Sequence, residues 1–265
     1  MKGIIDLTVV QVALAYIFVL IVLIIVRARG IKREKEIIVS SVRMTLQLIL
    51  VGYLLVYIFD NPNPFVTMGI IALMEVFAIY TVFKKFKNEL SKALKQVIAA
   101  SMLMGTLSCL VYFLLVVVRI SPWYDPQYFI PIAGMIVGNA MTGISLGVKS
   151  LVDGMTIQRA AVEEALILGA TPRDASKNII NSSFDSAILP TINSMVGMGI
   201  VFLPGMMTGQ ILSGTVPTTA IAYQIAIMLG ILGAVSLTVF MMLQRGYKTF
   251  FNTESQLQFS FKDGA

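Results

Sequence analysis

Seven apolar stretches, separated by connections that are alternately basic and nearly bare, constrain this 265-residue chain more than any motif does. A helix needs about 20 mostly apolar residues to cross the hydrocarbon core of a bilayer. Leu7–Val26, Ile37–Phe59, Pro64–Phe83, Gln96–Val118, Ile130–Val148, Ser186–Leu203 and Thr218–Leu243 have that character. The chain is 57% hydrophobic and 13% charged, whereas ordinary soluble domains carry about 25% charged residues. Too little polar surface remains to cover a water-facing globule. The expected fold is all-α and polytopic: one transmembrane domain over residues 1–245, then a short, partly disordered tail over 246–265.

Basic residues set the expected orientation. Arg27–Glu36 holds five Lys and Arg, Lys84–Lys95 five, Lys149–Asp185 four and Arg245–Ala265 three. The alternate connections hold only Lys2 and Arg119. This pattern places the N-terminus outside and the C-terminus in the cytoplasm, with an odd number of spans between them.

Several function classes drop out on composition. The net charge of +6 comes from basic residues clustered between apolar runs, which is a topology signal, so no nucleic-acid partner is expected. Cys109 is the single cysteine and there is no histidine, which removes thiolate clusters and the commonest general base. No G-x-x-x-x-G-K-[ST] phosphate loop occurs, so this chain is not expected to hydrolyse ATP in that way. No cofactor, resident metal or enzymatic constellation is expected.

The longest connection, residues 149–185, has its own structure. A helix is expected from about Thr156 to Leu168, stopped at Gly169. Thr171 and Pro172 suit an N-cap and first helical position, and Asp174 falls in the favourable first turn. The result is helix, tight turn, helix. One reading is an amphipathic helix on the membrane surface, with Ala160, Val162, Ala165, Leu166 and Leu168 as its greasy face. The other is a rigid protrusion for docking; Glu163 and Glu164 favour it, because surface-seeking helices are usually basic.

Glu163-Glu164-Ala165, three residues before Gly169, resembles the EAA-type coupling motif of ABC importer permeases. The hydrophobic-Leu-Pro element of that motif comes later here, as Ala187-Ile188-Leu189-Pro190. A broader resemblance covers nearly the whole chain. IPIAGMIVGNAM at 130–141, LGATPRDAS at 168–176, and LPGMMTGQILSG at 203–214 followed by AIAYQI at 221–226 are similar to the FetB-type permeases. Arg43 with Gln47-Leu48 and Val51-Gly52-Tyr53 fits the same pattern. This bacterial family is regarded as iron-export ABC transporter permeases of the inner membrane, with plant relatives tied to aluminium tolerance. The resemblance implies that Glu163, Glu164, Ala165, Gly169, Ala170, Thr171, Pro172 and Arg173 dock a separate ATP-binding subunit, which carries the ATP and Mg. Seven spans with one coupling hairpin make half a translocation unit, so a homodimer with two ATPase subunits is expected in the lipid bilayer, moving a metal ion by alternating access. An ion-coupled secondary transporter using Glu75 or Asp185, or a scaffold that transports nothing, are the rival classes.

Within the spans, ionisable and polar residues are functional candidates by default. Arg43 lies six residues into its span and Glu75 eight from the matching end of the next, depths of roughly 9 and 12 Å. They either pair, or Arg43 snorkels while Glu75 faces a wet cavity alone. Glu75 lies outside the family-like segments. Ser40, Arg43 and Gln47 form one polar stripe, while Asp185, Leu189, Asn193 and Gly197 share a face of the sixth span. Asn139 lies among Gly134, Gly138, Gly143 and Gly147, which mark close helix packing. Pro204–Pro217 reads either as a broken or re-entrant segment near the outer surface or as a compact external loop. The translocation path is expected near Arg43, Gln47, Glu75, Asn139, Asn193, Met206, Met207, Gln210 and Gln224. Met206 and Met207 beside Gln210 invite a soft-metal site, although most of the 16 methionines read as adaptable packing. Thioethers suit Cu(I), while ferrous iron prefers imidazole and carboxylate.

Overall fold

The computed structural model describes residues 6–86 and 90–258, and every regular element among them is helical. In chain order these are α1 (Val9–Ala15), α2 (Ile17–Ala28), α3 (Glu34–Asp60), α4 (Pro64–Lys85), α5 (Lys92–Tyr112), α6 (Pro126–Ile157), α7 (Arg159–Ile167), α8 (Pro172–Ala175), α9 (Lys177–Gly197), α10 (Gly205–Leu212) and α11 (Pro217–Gly246). A π-helical turn, Phe113–Val118, extends α5, and a 3₁₀ turn, Tyr247–Phe250, extends α11. Lys2, Lys87 and Lys262 of the charge pattern lie outside the described residues.

The helix starts follow the local chemistry. Asn63 and Asp125 each accept a hydrogen bond from the backbone N–H two residues on, with Pro64 and Pro126 at the first helical position. Ser91 caps α5 by accepting from the Leu94 N–H at 3.1 Å. Each cap satisfies one of the donors a helix start leaves unpaired.

The core is built on α6 and α11, which pack on each other. Around them, α6 also contacts α9, α4 and α5, and α11 contacts α5, α9 and α10. Gly143 shows how closely α6 and α11 approach: a Cβ built there would lie 2.6 Å from Val235 Cγ1. Gly147 faces Met242 and Ala187, and Gly134 faces Met74, whereas Gly138 has nothing within 4 Å. Three of the four glycines therefore mark close packing; Gly138 does not. By contrast, α1 and α2 bury no residue and α3 buries only Ile58. These helices pack mainly on one another, pinned where Tyr16 bonds with Thr45. Their exposed Leu, Ile, Val and Phe side chains are what lipid solvates.

Six helices are long and apolar enough to cross a membrane: Val9–Ala28, Glu34–Asp60, Pro64–Lys85, Lys92–Val118, Pro126–Ile157 and Pro217–Phe250. The expected sixth span, Ser186–Leu203, is not among them, and its boundaries shift. The helix there is α9, which begins nine residues earlier, at Lys177, and ends at Gly197. Its first half carries Lys177, Asn178, Asn181 and Asp185, which explains its low apolarity. It nevertheless runs antiparallel to α6 along the bundle, with Ile179 against Gly154 and Ala187 against Gly143 and Gly147.

One further boundary shifts. The fifth span does not stop near Val148: α6 continues to Ile157, about 48 Å in all, longer than the roughly 30 Å hydrocarbon core. The described part of the tail, through residue 258, folds back on the bundle. Tyr247 and Phe250 are buried, and the Gln258 N–H returns to the Phe250 carbonyl at 2.7 Å. Residues 259–265 of that tail lie outside the described residues.

Candidate functional site: a hairpin and a central cavity

The hairpin is formed by α7 and α8. The chain breaks at Gln158, so the expected helix from about Thr156 is instead the end of α6 followed by α7. Arg159 Nε pairs with Glu163 Oε1 at 2.8 Å along one exposed face. Gly169 turns the chain at φ +90°, a conformation glycine adopts without steric cost. Thr171 then caps α8 by accepting from the Asp174 N–H, while its hydroxyl donates to Asp174 Oδ2 at 2.6 Å. Val162, 2% exposed, and partly buried Leu166 pack the hairpin onto the core. At the tip the pattern reverses: Ile167 and Leu168 are 85% and 81% exposed. The apolar residues therefore do not form a single greasy face; Val162 and Leu166 anchor the hairpin, and Ile167 and Leu168 project from it. Glu164, Gly169, Thr171 and Arg173 are exposed beside them, with Glu163, Ala165, Ala170 and Pro172 half-buried.

Between α6, α9, α10 and α11 lies a cavity of about 280 Å³. Asn139 and Thr142 of α6, Thr191 and Ser194 of α9, Met206 of α10 and Gln224 of α11 contribute to its wall. Asn139 donates to the Met135 carbonyl at 2.7 Å within its own helix, leaving its Oδ1 with no bond among the described residues. Gln224 is 6% exposed, and its Oε1 has no hydrogen-bond partner among the described residues. Such an orphan is costly in a packed core, by about 1–3 kcal/mol; here the cavity gives it room to bond a water or a polar solute.

The expected path residues divide. Asn139, Met206 and Gln224 meet at the cavity, whereas Asn193, Met207 and Gln210 are not part of its wall. Arg43 and Gln47 lie on an exposed face of α3. Thr142, Thr191, Ser194, Met135, Met198 and Met228 also line the cavity and escaped the sequence reading. The hydroxyls sit mid-helix, where each can back-bond to the preceding turn, and methionine reads as packing.

The segment 204–217 is neither unbroken helix nor plain loop. The backbone turns at Gly199 with φ +85°, forms α10, and turns again at Gly214 with φ +100° before α11. Phe202, Pro204 and Gly205 line the same cavity as Asn139. Asn139 lies 13 residues along α6 from Pro126, about 20 Å from that end. The irregular backbone thus sits beside the middle of α6 and against protein, the setting in which it is tolerated at membrane depth.

Arg43 and Glu75 do not pair. The Arg43 guanidinium lies over the Phe77 ring, 5.3 Å from its centroid. Glu75, 1% exposed, accepts from the Thr106 hydroxyl and has no ion pair among the described residues. It faces neither the cavity nor Arg43. Reversing both charges, with Arg43→Glu and Glu75→Arg, should therefore rescue nothing. The double variant is expected to yield no more folded protein, by size-exclusion profile in detergent, than the worse single variant. Glu75→Gln should fold, because its amide oxygen can still accept from Thr106.

Together, this architecture defines a multi-pass α-helical membrane protein with a projecting hairpin and a half-open cavity lined by methionines and a few polar side chains. The chain belongs to the uncharacterised protein family UPF0014, whose model matches residues 9–251. It is 33% identical over 245 residues, 92% of this chain and 93% of the relative, to the probable iron export permease protein FetB of Escherichia coli. It is 35% identical to the protein ALUMINUM SENSITIVE 3 of Arabidopsis thaliana, over 93% of this chain and 88% of that one. A UPF0014 membrane protein of Synechocystis, slr1647, shares 34% identity over 86% of this chain and 88% of its own. No solved structure matches.

Proposed function

We propose that this chain is the membrane-spanning permease subunit of an ABC transporter in the bacterial inner membrane, exporting a metal ion with a separate ATPase subunit docked on α7 and α8. The observation that carries this reading is the hairpin tip. Ile167 and Leu168 are held out from the bundle on a short, capped turn, and an exposed apolar pair there is suited to contact with a partner. The name of the E. coli relative supports permease and iron export. The basic connections support a cytoplasmic hairpin and C-terminus. Hydrolysis of ATP with its Mg belongs to the docked subunit.

The working unit is a homodimer of the permease. Asn139 and Thr142 are exposed at the cavity, and Ser182, Asp185, Ser186 and Asn193 are exposed elsewhere on α9. Polar groups in contact with lipid are costly, so a second copy covers them and the two cavities share one path. Alternating access then follows when the docked ATPase displaces the hairpin and α6 and α9 slide past each other.

Co-purification tests this. The protein is extracted from its native membranes in mild detergent, and an ATP-binding subunit is expected with it in equal amount. Glu164→Arg and Gly169→Trp should both lose that subunit while the permease still elutes as a folded species. A partner-free wild type would overturn the reading.

A further inference from the structure

The cavity wall has a second feature that the family relationship does not supply. Met135, Met198, Met206 and Met228 all contribute to it. Four of 17 lining residues are methionine, against 16 of 265 in the chain, so the enrichment is local. They come from four separate elements: α6, the turn after α9, α10 and α11. Beside them stand the Asn139 side chain and the unpartnered Gln224 Oε1. No carboxylate is present in the wall, the chain has no histidine, and no metal-ligating cluster of Asp, Glu or Cys occurs among the described residues.

We propose that this cavity is a transit site for a soft, singly charged cation of the copper(I) type, held by up to four thioether sulfurs, with the Gln224 amide beside it as a neutral dipole. The proposal rests on the permease reading and deepens it by naming the class of substrate. Thioethers select soft, low-charge ions, whereas hard or borderline divalent ions prefer carboxylate and imidazole. A singly charged ion also loses less hydration energy on entering an uncharged site than a divalent one. The cavity volume would hold roughly nine waters, so a bare ion requires the methionines to close in. Three rotatable bonds per side chain allow that, and neutral donors release the ion more readily than thiolates would.

The test uses the full-length protein in nanodiscs, without oxygen, and competition against a chromophoric copper(I) chelator. Silver(I) serves as a redox-inert second probe. One ion per chain is expected, with sulfur in its first shell by X-ray absorption. Met198→Leu with Met206→Leu preserves volume and apolarity and should weaken binding at least 100-fold. Gln224→Leu should weaken it about tenfold, and Met104→Leu, on exposed α5 surface away from the cavity, should change nothing. Ferrous iron in tenfold excess should not displace the bound ion. Unchanged copper(I) binding in the double methionine variant, or displacement by ferrous iron, overturns the proposal. Loss of copper(I) binding in the wild type while the ATPase still co-purifies would sink the cation assignment and leave the permease reading standing. Copper(I) binding without an ATPase would do the reverse.

Discussion

Replacing both tip residues, Ile167→Asp with Leu168→Asp, is expected to abolish association with the proposed ATP-binding subunit while leaving the permease folded. The two side chains are almost fully exposed in the single chain, so nearly all their apolar area is available to a partner. Burying a Leu or Ile side chain is worth about 1.5–3 kcal/mol. Two of them therefore account for roughly 3–6 kcal/mol, or about a 100- to 20,000-fold change in affinity. Neither residue packs on the bundle, so the thermal midpoint of the isolated permease should stay within about 2 °C of wild type, as for other surface substitutions. Salt separates this contact from a charged one. An apolar tip holds its partner in 0.5 M NaCl, whereas a contact made chiefly by Glu164 would weaken as the ionic strength rises. Retention of the ATPase by the double variant would show that the docking surface lies elsewhere.

The second large effect is expected at the centre of the bundle. Gly143→Leu should cost about 3 kcal/mol or more, because overpacking of a filled core forces both side chains and backbone to move. Even the first added carbon meets Val235 at 2.6 Å, so α6 and α11 must separate along their contact. For a chain of this size that corresponds to a fall of roughly 6–12 °C in the midpoint of unfolding, read by tryptophan or dye fluorescence in detergent. Val235→Ala in the same chain should recover part of the loss. Gly138→Leu, five residues away with open space around it, should leave the midpoint unchanged or raise it slightly, since leucine favours helix by nearly 1 kcal/mol over glycine. Equal effects at the two positions would refute the packing described for α6.

These two positions also show what the amino-acid sequence could and could not display. Gly138 and Gly143 look alike in the primary structure; which of them meets another helix depends on how α6 is rotated, and that is set by residues from α9 and α11. The hairpin was legible because its determinants are local: Gly169 for the left-handed turn, Thr171, Pro172 and Asp174 for the next helix start. The sorting of its apolar residues was not, since the burial of Val162 in the core is a matter of tertiary packing that the local pattern does not display. The sixth span was misplaced for a similar reason. Hydropathy marks Ser186–Leu203 as the greasy part, but Lys177–Asp185 is held helical by packing against the extension of α6. The cavity was half legible. Asn139, Met206 and Gln224 stand out as polar or sulfur-bearing residues in apolar surroundings, whereas Met135, Met198 and Met228 look like filler until the fold gathers them.

The continuity of α6 has a mechanical consequence. One unbroken helix carries Asn139 at the cavity and ends at Ile157, against the hairpin, a distance of 18 residues or about 27 Å. A rod of that length converts angle into travel. A tilt of about 10° imposed at the Ile157 end would move the level of Asn139 by about 5 Å relative to a pivot at the hairpin, close to one helical turn. The rod ends where the chain breaks at Gln158, so under the proposed coupling the lever arm and the docking hairpin meet at adjacent residues.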